Sequence, residues 1–353
     1  MQMLRSFLSG FIGVAAISIA AAPAFSAMEP GAPAAETAKP AGKAEGKADR
    51  PNMLPQPATT DELPNELIEI DPNRFGAKPI DAAFGAYQRG LYLTALSLAK
   101  PRAEAGDAAA QTLLGEIYSR GLGVPVNPKL AAEWYSKAAA QNDVHAQFQY
   151  AVLLLDGQHV KADRVQAENL MKAAAEAGNA MAQFNYAQIL MQNNPGEKGI
   201  EAAYPWFQKA SDSNLADAEY AVSQILANGT SAIKQDEAEA RFFLLRAAQK
   251  NYDTAQLDLA TWLVEGRGGE RNFDAGFKWM LQAARNGNVA AQARLARLYR
   301  DGLGTDGDTV TAAAWYFVAR RSGLTAFDLD SMLDGLEDEQ IERARKIAET
   351  LRQ

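Results

Sequence analysis

His145 and His159 are the only imidazoles in a chain of 353 residues that contains no cysteine. A metal centre or an activated nucleophile needs several ligands or a base brought together, and its trace is a cluster of His, Cys or carboxylates at helix or turn spacing. Neither histidine has a second His or a carboxylate pair at such a spacing. Both read as solvated side chains, His145 at a helix start and His159 in a turn. The missing cysteines exclude disulfides, Cys-ligated zinc, thiol nucleophiles and a lipidated Cys anchor. Gly121-Leu122-Gly123 and Gly302-Leu303-Gly304 are turns and not phosphate loops, since no strand precedes them and no Lys-Ser/Thr follows. Acidic pairs such as Glu337 and Glu339 mark a helix start and surface charge. No S-x-x-K with a following K-T-G is present. The sequence predicts no catalytic residue, no metal ligand and no cofactor.

The groups that remain are polar side chains at one recurring spacing: Gln149, Asn185, Gln188, Gln192, Gln224, Asn228, Asp258, Arg294 and Arg297. Amides carry donors and acceptors together, which suits hydrogen bonding to a peptide backbone. Arginines grip carboxylates. The candidate chemistry is recognition of a protein or peptide, and a face that is merely polar is the competing reading.

These residues are positioned by a repeat. The dipeptide Ala-Gln ends at Gln111, Gln147, Gln183, Gln256 and Gln292, with Glu219 in the remaining slot, at steps of 36, 36, 36, 37 and 36. One period repeated six times is the mark of a solenoid. Each copy reads as two helices. The first ends at Gly121, Gly157, Asn193, Gly229, Gly266 or Gly302, residue types that tolerate the left-handed conformation a helix stop requires. The second carries a bulky core residue, Trp134, Leu170, Trp206, Phe243, Trp279 or Trp315, and stops at Asn142, Gly178, Asn214, Asn251, Gly287 or Gly323. The extra residue of the long step lies in the loop 229–237. Counted from the registering residue, positions +2, +5 and +9 of the first helix share one face, and the polar residues named above occupy them.

The spacing A-Q-x-x-L-G-x-x-Y-x-x-G-x-G-V followed by A-x-x-W-Y-x-K-A-A resembles the Sel1-like repeat, a relative of the tetratricopeptide repeat. The first copy holds Leu114, Gly115, Tyr118, Gly121, Gly123, Val124, Ala131, Trp134, Tyr135, Lys137, Ala138 and Ala139, and the sixth repeats Tyr299, Gly302, Gly304, Trp315 and Tyr316. The expected fold is all-α, a right-handed α/α superhelical solenoid of about six 36-residue helix-turn-helix repeats with helical caps. Its units are 108–143, 144–179, 180–215, 216–252, 253–288 and 289–324. Units 2, 3 and 4 lack the Gly-x-Gly turn, and Pro205 is expected to begin or kink a helix in unit 3. A degenerate hairpin over 79–107 caps one end, with Pro101 bending its second helix. Two helices within 325–353 cap the other, where Ile341, Ala344, Ala348 and Leu351 form an apolar stripe.

Ahead of the repeats stand two segments of different character. Residues 1–26 read as a secretory signal: Arg5, the apolar run Phe7–Ala22 and the small residues Ala24 and Ser26 before the cleavage point. An uncleaved anchor is the rival, but its 16 apolar residues fall short of the roughly 20 a span needs. Residues 27–65 are rich in Ala, Pro, Gly, Lys and Glu and read as a disordered linker. The net charge of −8 disfavours nucleic acid and anionic lipid, whose binding term has the opposite sign.

The resemblance implies a non-catalytic adaptor that binds a partner protein or peptide in a concave groove lined by first helices. With the signal peptide it implies a periplasmic scaffold in envelope or exopolysaccharide regulation, since some alphaproteobacterial members restrain a sensor kinase there. Peptidoglycan association is the alternative. A β-lactam-hydrolysing or penicillin-binding role, described for cysteine-rich members, lacks its motifs in this chain.

Overall fold

The computed structural model describes residues 81–351. The signal and linker assignments, 1–26 and 27–65, lie outside the described residues, as do positions 79, 80, 352 and 353. Among the described residues there are sixteen α-helices and no strand. Helices α1 (Ala82–Gln88) and α2 (Tyr92–Glu104) form the first hairpin. The six units follow as pairs of a first, or A, helix and a second, or B, helix. They are α3 (Ala108–Arg120) with α4 (Pro128–Ala140), α5 (Val144–Asp156) with α6 (Arg164–Glu176), and α7 (Ala180–Asn193) with α8 (Glu197–Asp212). The later three are α9 (Ala216–Asn228) with α10 (Glu237–Gln249), α11 (Asp253–Glu265) with α12 (Phe273–Arg285), and α13 (Val289–Asp301) with α14 (Thr309–Arg321). Helices α15 (Phe327–Asp334) and α16 (Asp338–Thr350) close the array. From α1 to α14 each helix packs on its neighbours in the chain, and α16 returns onto α14. The whole is an all-α solenoid.

Local chemistry sets the helix ends. Asp107, Asn127, Asp143, Asp163, Asn179, Asp236, Asn272, Asn288 and Asp308 each accept a first-turn backbone N–H, satisfying a donor that the helix cannot. All six B-helix stops adopt positive φ, from 62° at Asn214 and Asn251 to 93° at Gly287. Five A-helix stops do the same, from Gly302 at 64° to Gly266 at 80°. Asn193 does not. It is the last residue of α7, and the chain reverses through Asn194, Pro195 and Gly196, the last at φ 102°. With no Gly-x-Gly loop to cross, α8 begins nine residues before Trp206, where α4 begins six before Trp134. Pro205 therefore lies inside α8 rather than at its start.

The core follows from small-against-large packing. Ala131, Ala167, Ala203, Ala240, Gly276 and Ala312 are buried and let the A and B backbones approach. The fully buried bulky residues are Tyr135, Met171, Phe207, Leu244, Met280 and Tyr316, one position after the expected core slot. In that slot Trp315 is buried, whereas Trp134, Leu170, Trp206, Phe243 and Trp279 are half-buried. The helix period explains the difference: the later residue faces the A helix of its own unit, and the slot faces the seam. Leu170, Trp206 and Trp279 each pack against two successive core clusters, so these side chains join units. At the last end Ala344 and Ala348 are buried against Ala313 and Ala314 of α14, with Ile347 and Leu351 alongside.

The registering glutamines lock the units. Gln111, Gln183, Gln256 and Gln292 donate Nε2 to the carbonyls of Ala103, Ala175, Ala248 and Ala284 on the preceding helix, at 3.0 to 3.2 Å. Gln111 Oε1 accepts from Gln141 at 2.8 Å, and Gln256 Oε1 from Asn286 at 2.9 Å. In the equivalent places Ser213 and Ser322 are too short to reach, and Gln183 Oε1 and Gln292 Oε1 have no partner among the described residues. Unit 4 solves the same problem with charge. Glu219 is fully buried and meets Lys250 at 2.6 Å and Arg246 at 2.7 Å.

Candidate interaction face

Positions +5 and +2 of successive A helices meet, and cross-unit bonds show it. Gln224 Nε2 on α9 donates to Asp258 Oδ2 on α11 at 3.4 Å. Arg294 Nη1 on α13 donates to Thr261 Oγ1 on α11. Position +5 of one unit thus meets +2 of the next. At the first end Glu116 gathers Arg120 at 2.9 Å, Tyr135 Oη at 3.0 Å and Tyr87 Oη at 3.5 Å, with His145 Nε2 at 3.9 Å. Burial pushes the Glu116 carboxyl up, but bonds from His145, Arg120 and Tyr135 outweigh it and hold the group at about 2. His145 is exposed, as its reading as a solvated residue requires, and it also touches Gln149 Nε2 at 3.4 Å.

Among the described residues the +2, +5 and +9 amides of units 2 and 3, Gln149, Asn185, Gln188 and Gln192, bond to no other unit. Asn185 Nδ2 donates to Met181 O on its own helix at 2.7 Å. Gln188, half-buried, and Gln192, exposed, make no side-chain hydrogen bond among the described residues. Asn228 is exposed and donates to Gln224 O at 2.7 Å. Gln192 and Asn228 are exposed, and Gln149, Asn185 and Gln188 half-buried.

Arg297 is differently placed from the sequence reading. Its guanidinium forms a two-pronged pair with Asp328 of α15, both bonds 2.8 Å, and Arg300 joins the same carboxylate at 3.0 Å. The guanidinium of Arg297 foremost, with Arg300, holds Asp328 far below the usual carboxylate range. The cap helix already supplies the carboxylate that Arg297 was expected to take from a partner, because α15 lies across the last A helix. Arg294 is left as the outward cation of this face.

Between units 4 and 5 the structure assembles residues that the +2, +5, +9 rule overlooked. Tyr220 and Tyr252 pack with ring centroids 5.1 Å apart, and Tyr220 Oη donates to Asp258 Oδ2 at 2.9 Å. Burial raises the Asp258 carboxyl, against the bond from Tyr220 and the charges of Arg294 and Arg267. The signal was present in the sequence: Tyr252 stands where four other units carry Asp or Asn as the A-helix cap. Among the described residues no group of His, Asp and Glu is placed to hold a metal ion, and no helix is long and apolar enough to cross a membrane.

A family model described as Sel1 repeat matches residues 108–143, 144–179, 180–215, 216–252, 254–288 and 289–324. The chain belongs to the Sel1 repeat family. This Sel1 repeat chain is similar in structure to a Sel1 repeat protein from Oxalobacter formigenes, with 26% identity, a TM-score of 0.58, and 69% of this chain and 97% of that one covered. It is also similar to a protective antigen present in uropathogenic Escherichia coli strains, with 27% identity, a TM-score of 0.52 and coverage of 74% and 64%. Among curated proteins, Chitin synthase regulatory factor 3 of Schizosaccharomyces pombe is 31% identical over 84 residues, or 23% of this chain. The Sel1 repeat chain spans 9% of that protein's length. Sel1 repeats typically mediate protein interactions, and the solenoid described here is a Sel1 repeat scaffold.

Proposed function

We propose that the protein is a non-catalytic adaptor that binds a partner protein or peptide along the A-helix face. In this reading the segment 1–26 exports it to the periplasm, where it scaffolds or regulates an envelope or exopolysaccharide assembly. The carrying observation is the row of amides at Gln149, Asn185, Gln188 and Gln192, none of which bonds to another unit among the described residues: Gln149 and Asn185 bond only within their own helix, and Gln188 and Gln192 make no side-chain hydrogen bond. A polar group ordered on a rigid helix, but not used by the fold, is pre-organised to bond an extended backbone. The matched regulatory factor of Schizosaccharomyces pombe carries a regulatory name, which agrees with an adaptor role.

The test is crosslinking and capture in cells, comparing the protein with a Gln149→Ala, Gln188→Ala, Gln192→Ala variant. None of the three glutamines bonds across units, so helicity stays unchanged by circular dichroism. Capture of one envelope protein by the parent and its loss in the variant supports the reading. Undiminished capture by the variant places the partner on another face, and recovery only with purified sacculi favours peptidoglycan instead.

A further inference from the structure

The rules of the repeat break together at one junction of the A face. In units 1, 2, 3 and 6 the A-helix cap is Asp107, Asp143, Asn179 or Asn288, each accepting a backbone N–H. Units 4 and 5 place Leu215 and Tyr252 there, with no side-chain cap. A helix start that forgoes its cap loses stability, and such departures concentrate at functional sites. What Tyr252 contributes instead is an aromatic ring, half-buried with Tyr220 at the edge of the core. Its ring packs on Tyr220 at 5.1 Å with an interplanar angle of 32°. Asp217 stands three residues before Tyr220 on α9, Asp253 follows Tyr252, and Asp258 accepts from Tyr220 Oη at 2.9 Å, so three carboxylates surround the pair; burial first, and then their charges, raise the Tyr252 hydroxyl to about 12.

The charges on this face do not balance. Arg120 is paired with Glu116, Arg297 with Asp328, and Arg300 with Asp301 and Asp328. Asp217, Asp253 and Asp258 form no ion pair among the described residues. The nearest cations are engaged elsewhere. Arg294 donates to Thr261, and Arg267 pairs with Glu237 at 2.8 Å while lying 4.0 Å over the Trp262 ring. An aromatic pair rimmed by unpaired carboxylates is complementary to a cation, through the ring quadrupole and through charge-assisted bonds.

We infer that the partner segment bound on the A face carries a lysine or arginine, whose cation seats against Tyr220 and Tyr252 between Asp217 and Asp258. This rests on the A face being the partner surface. The occupant is therefore a basic extended segment of another protein.

The probe is an acetylated and amidated peptide, Ser-Lys-Ala-Lys-Ser-Ala-Lys-Ser, with counterparts carrying Gln or Glu in place of Lys, titrated calorimetrically against the full chain. The lysine peptide is expected to bind about tenfold more tightly than the glutamine peptide and to weaken as salt rises. Asp217→Asn with Asp258→Asn removes about tenfold of that affinity, and Tyr252→Leu about threefold, with helicity unchanged. Arg294→Gln tightens binding, because it removes a cation beside Asp258 that competes with the incoming lysine. Lysine-peptide binding untouched by the Asp217 and Asp258 changes overturns the proposal, as does binding of neither peptide. Preference for the glutamate peptide, lost with Gln188→Ala and Gln192→Ala, overturns the cation site while leaving the A face intact. Binding that appears only after Lys39, Lys43, Lys47 and Arg50 are changed to Gln overturns the external partner, since the chain's own arm then competes. The crosslinking capture described above judges the face separately.

Discussion

Changing Lys250 to Met tests how unit 4 tolerates an acid where the other units hold Gln. Glu219 has 0% of its side chain exposed, while Arg246 and Lys250 retain 25% and 33%. The carboxylate has no water to return to, but its partners do. Removing Lys250 leaves a buried anion with Arg246 alone, and Arg246 also bonds Ser211 O at 3.1 Å. A charged hydrogen bond lost from a buried group costs about 1.5–3 kcal/mol, and complete breakage of a buried pair about 3–5 kcal/mol. With one cation retained, Lys250→Met is expected to cost about 2 kcal/mol. The pair Glu219→Gln with Lys250→Gln rebuilds the arrangement of Gln111 and Gln141, which bond at 2.8 Å. That double variant should return to within about 1 kcal/mol of the parent, giving a clear coupling term. Solenoids do not unfold in one step, so the assay is native-state hydrogen exchange of α9 and α10 amides beside urea denaturation. If Lys250→Met costs less than about 0.5 kcal/mol, or the double variant is no better than the singles, the account of Glu219 as a charge-locked register residue is wrong.

Gly304→Ala should destabilise the junction of units 5 and 6 by about 2–3 kcal/mol, read as a lower urea midpoint, because φ is 72° and a Cβ would collide with the Phe273 carbonyl. Glu116 lies at about 2 in the folded chain against an ordinary 4.5, so it adds stability above its unfolded value that is lost as pH falls from about 4.5 toward 2. Discounted for partial exposure the effect is about 1–2 kcal/mol, and Glu116→Gln should flatten the acid limb of the urea midpoint against pH. Asp258 has the opposite sign: burial raises its carboxyl, so its ionised form disfavours folding at neutral pH and Asp258→Asn should raise the urea midpoint at pH 7. Asp328→Ala should release α15, seen as faster exchange of its amides at a cost of about 1 kcal/mol, while α16 stays protected through Ala344 and Ala348.

The repeat is legible without coordinates, because a 36-residue period of Ala-Gln and of Gly or Asn stops states local rules. Left-handed φ at Asn142, Asn214 and Asn251 needs only residue type and position. The buried face of α16 was legible in part: Ala344, Ala348 and Leu351 of the expected stripe pack on α14, but Ile347 joins them in place of Ile341. Asn193 failed because the same residue type is ordinary inside a helix, and Pro195 with Gly196 took over the reversal. The core slot was displaced by one residue, because periodicity names a face but not which of two adjacent bulky side chains meets the partner helix. Pairings across units depended on the fold alone. Arg297 with Asp328 are 31 residues apart, and Tyr220 with Asp258 are 38 apart. Only the superhelical stacking of one hairpin on the next brings such groups within bonding distance, so tertiary structure decided which polar residues are engaged and which are left for a partner.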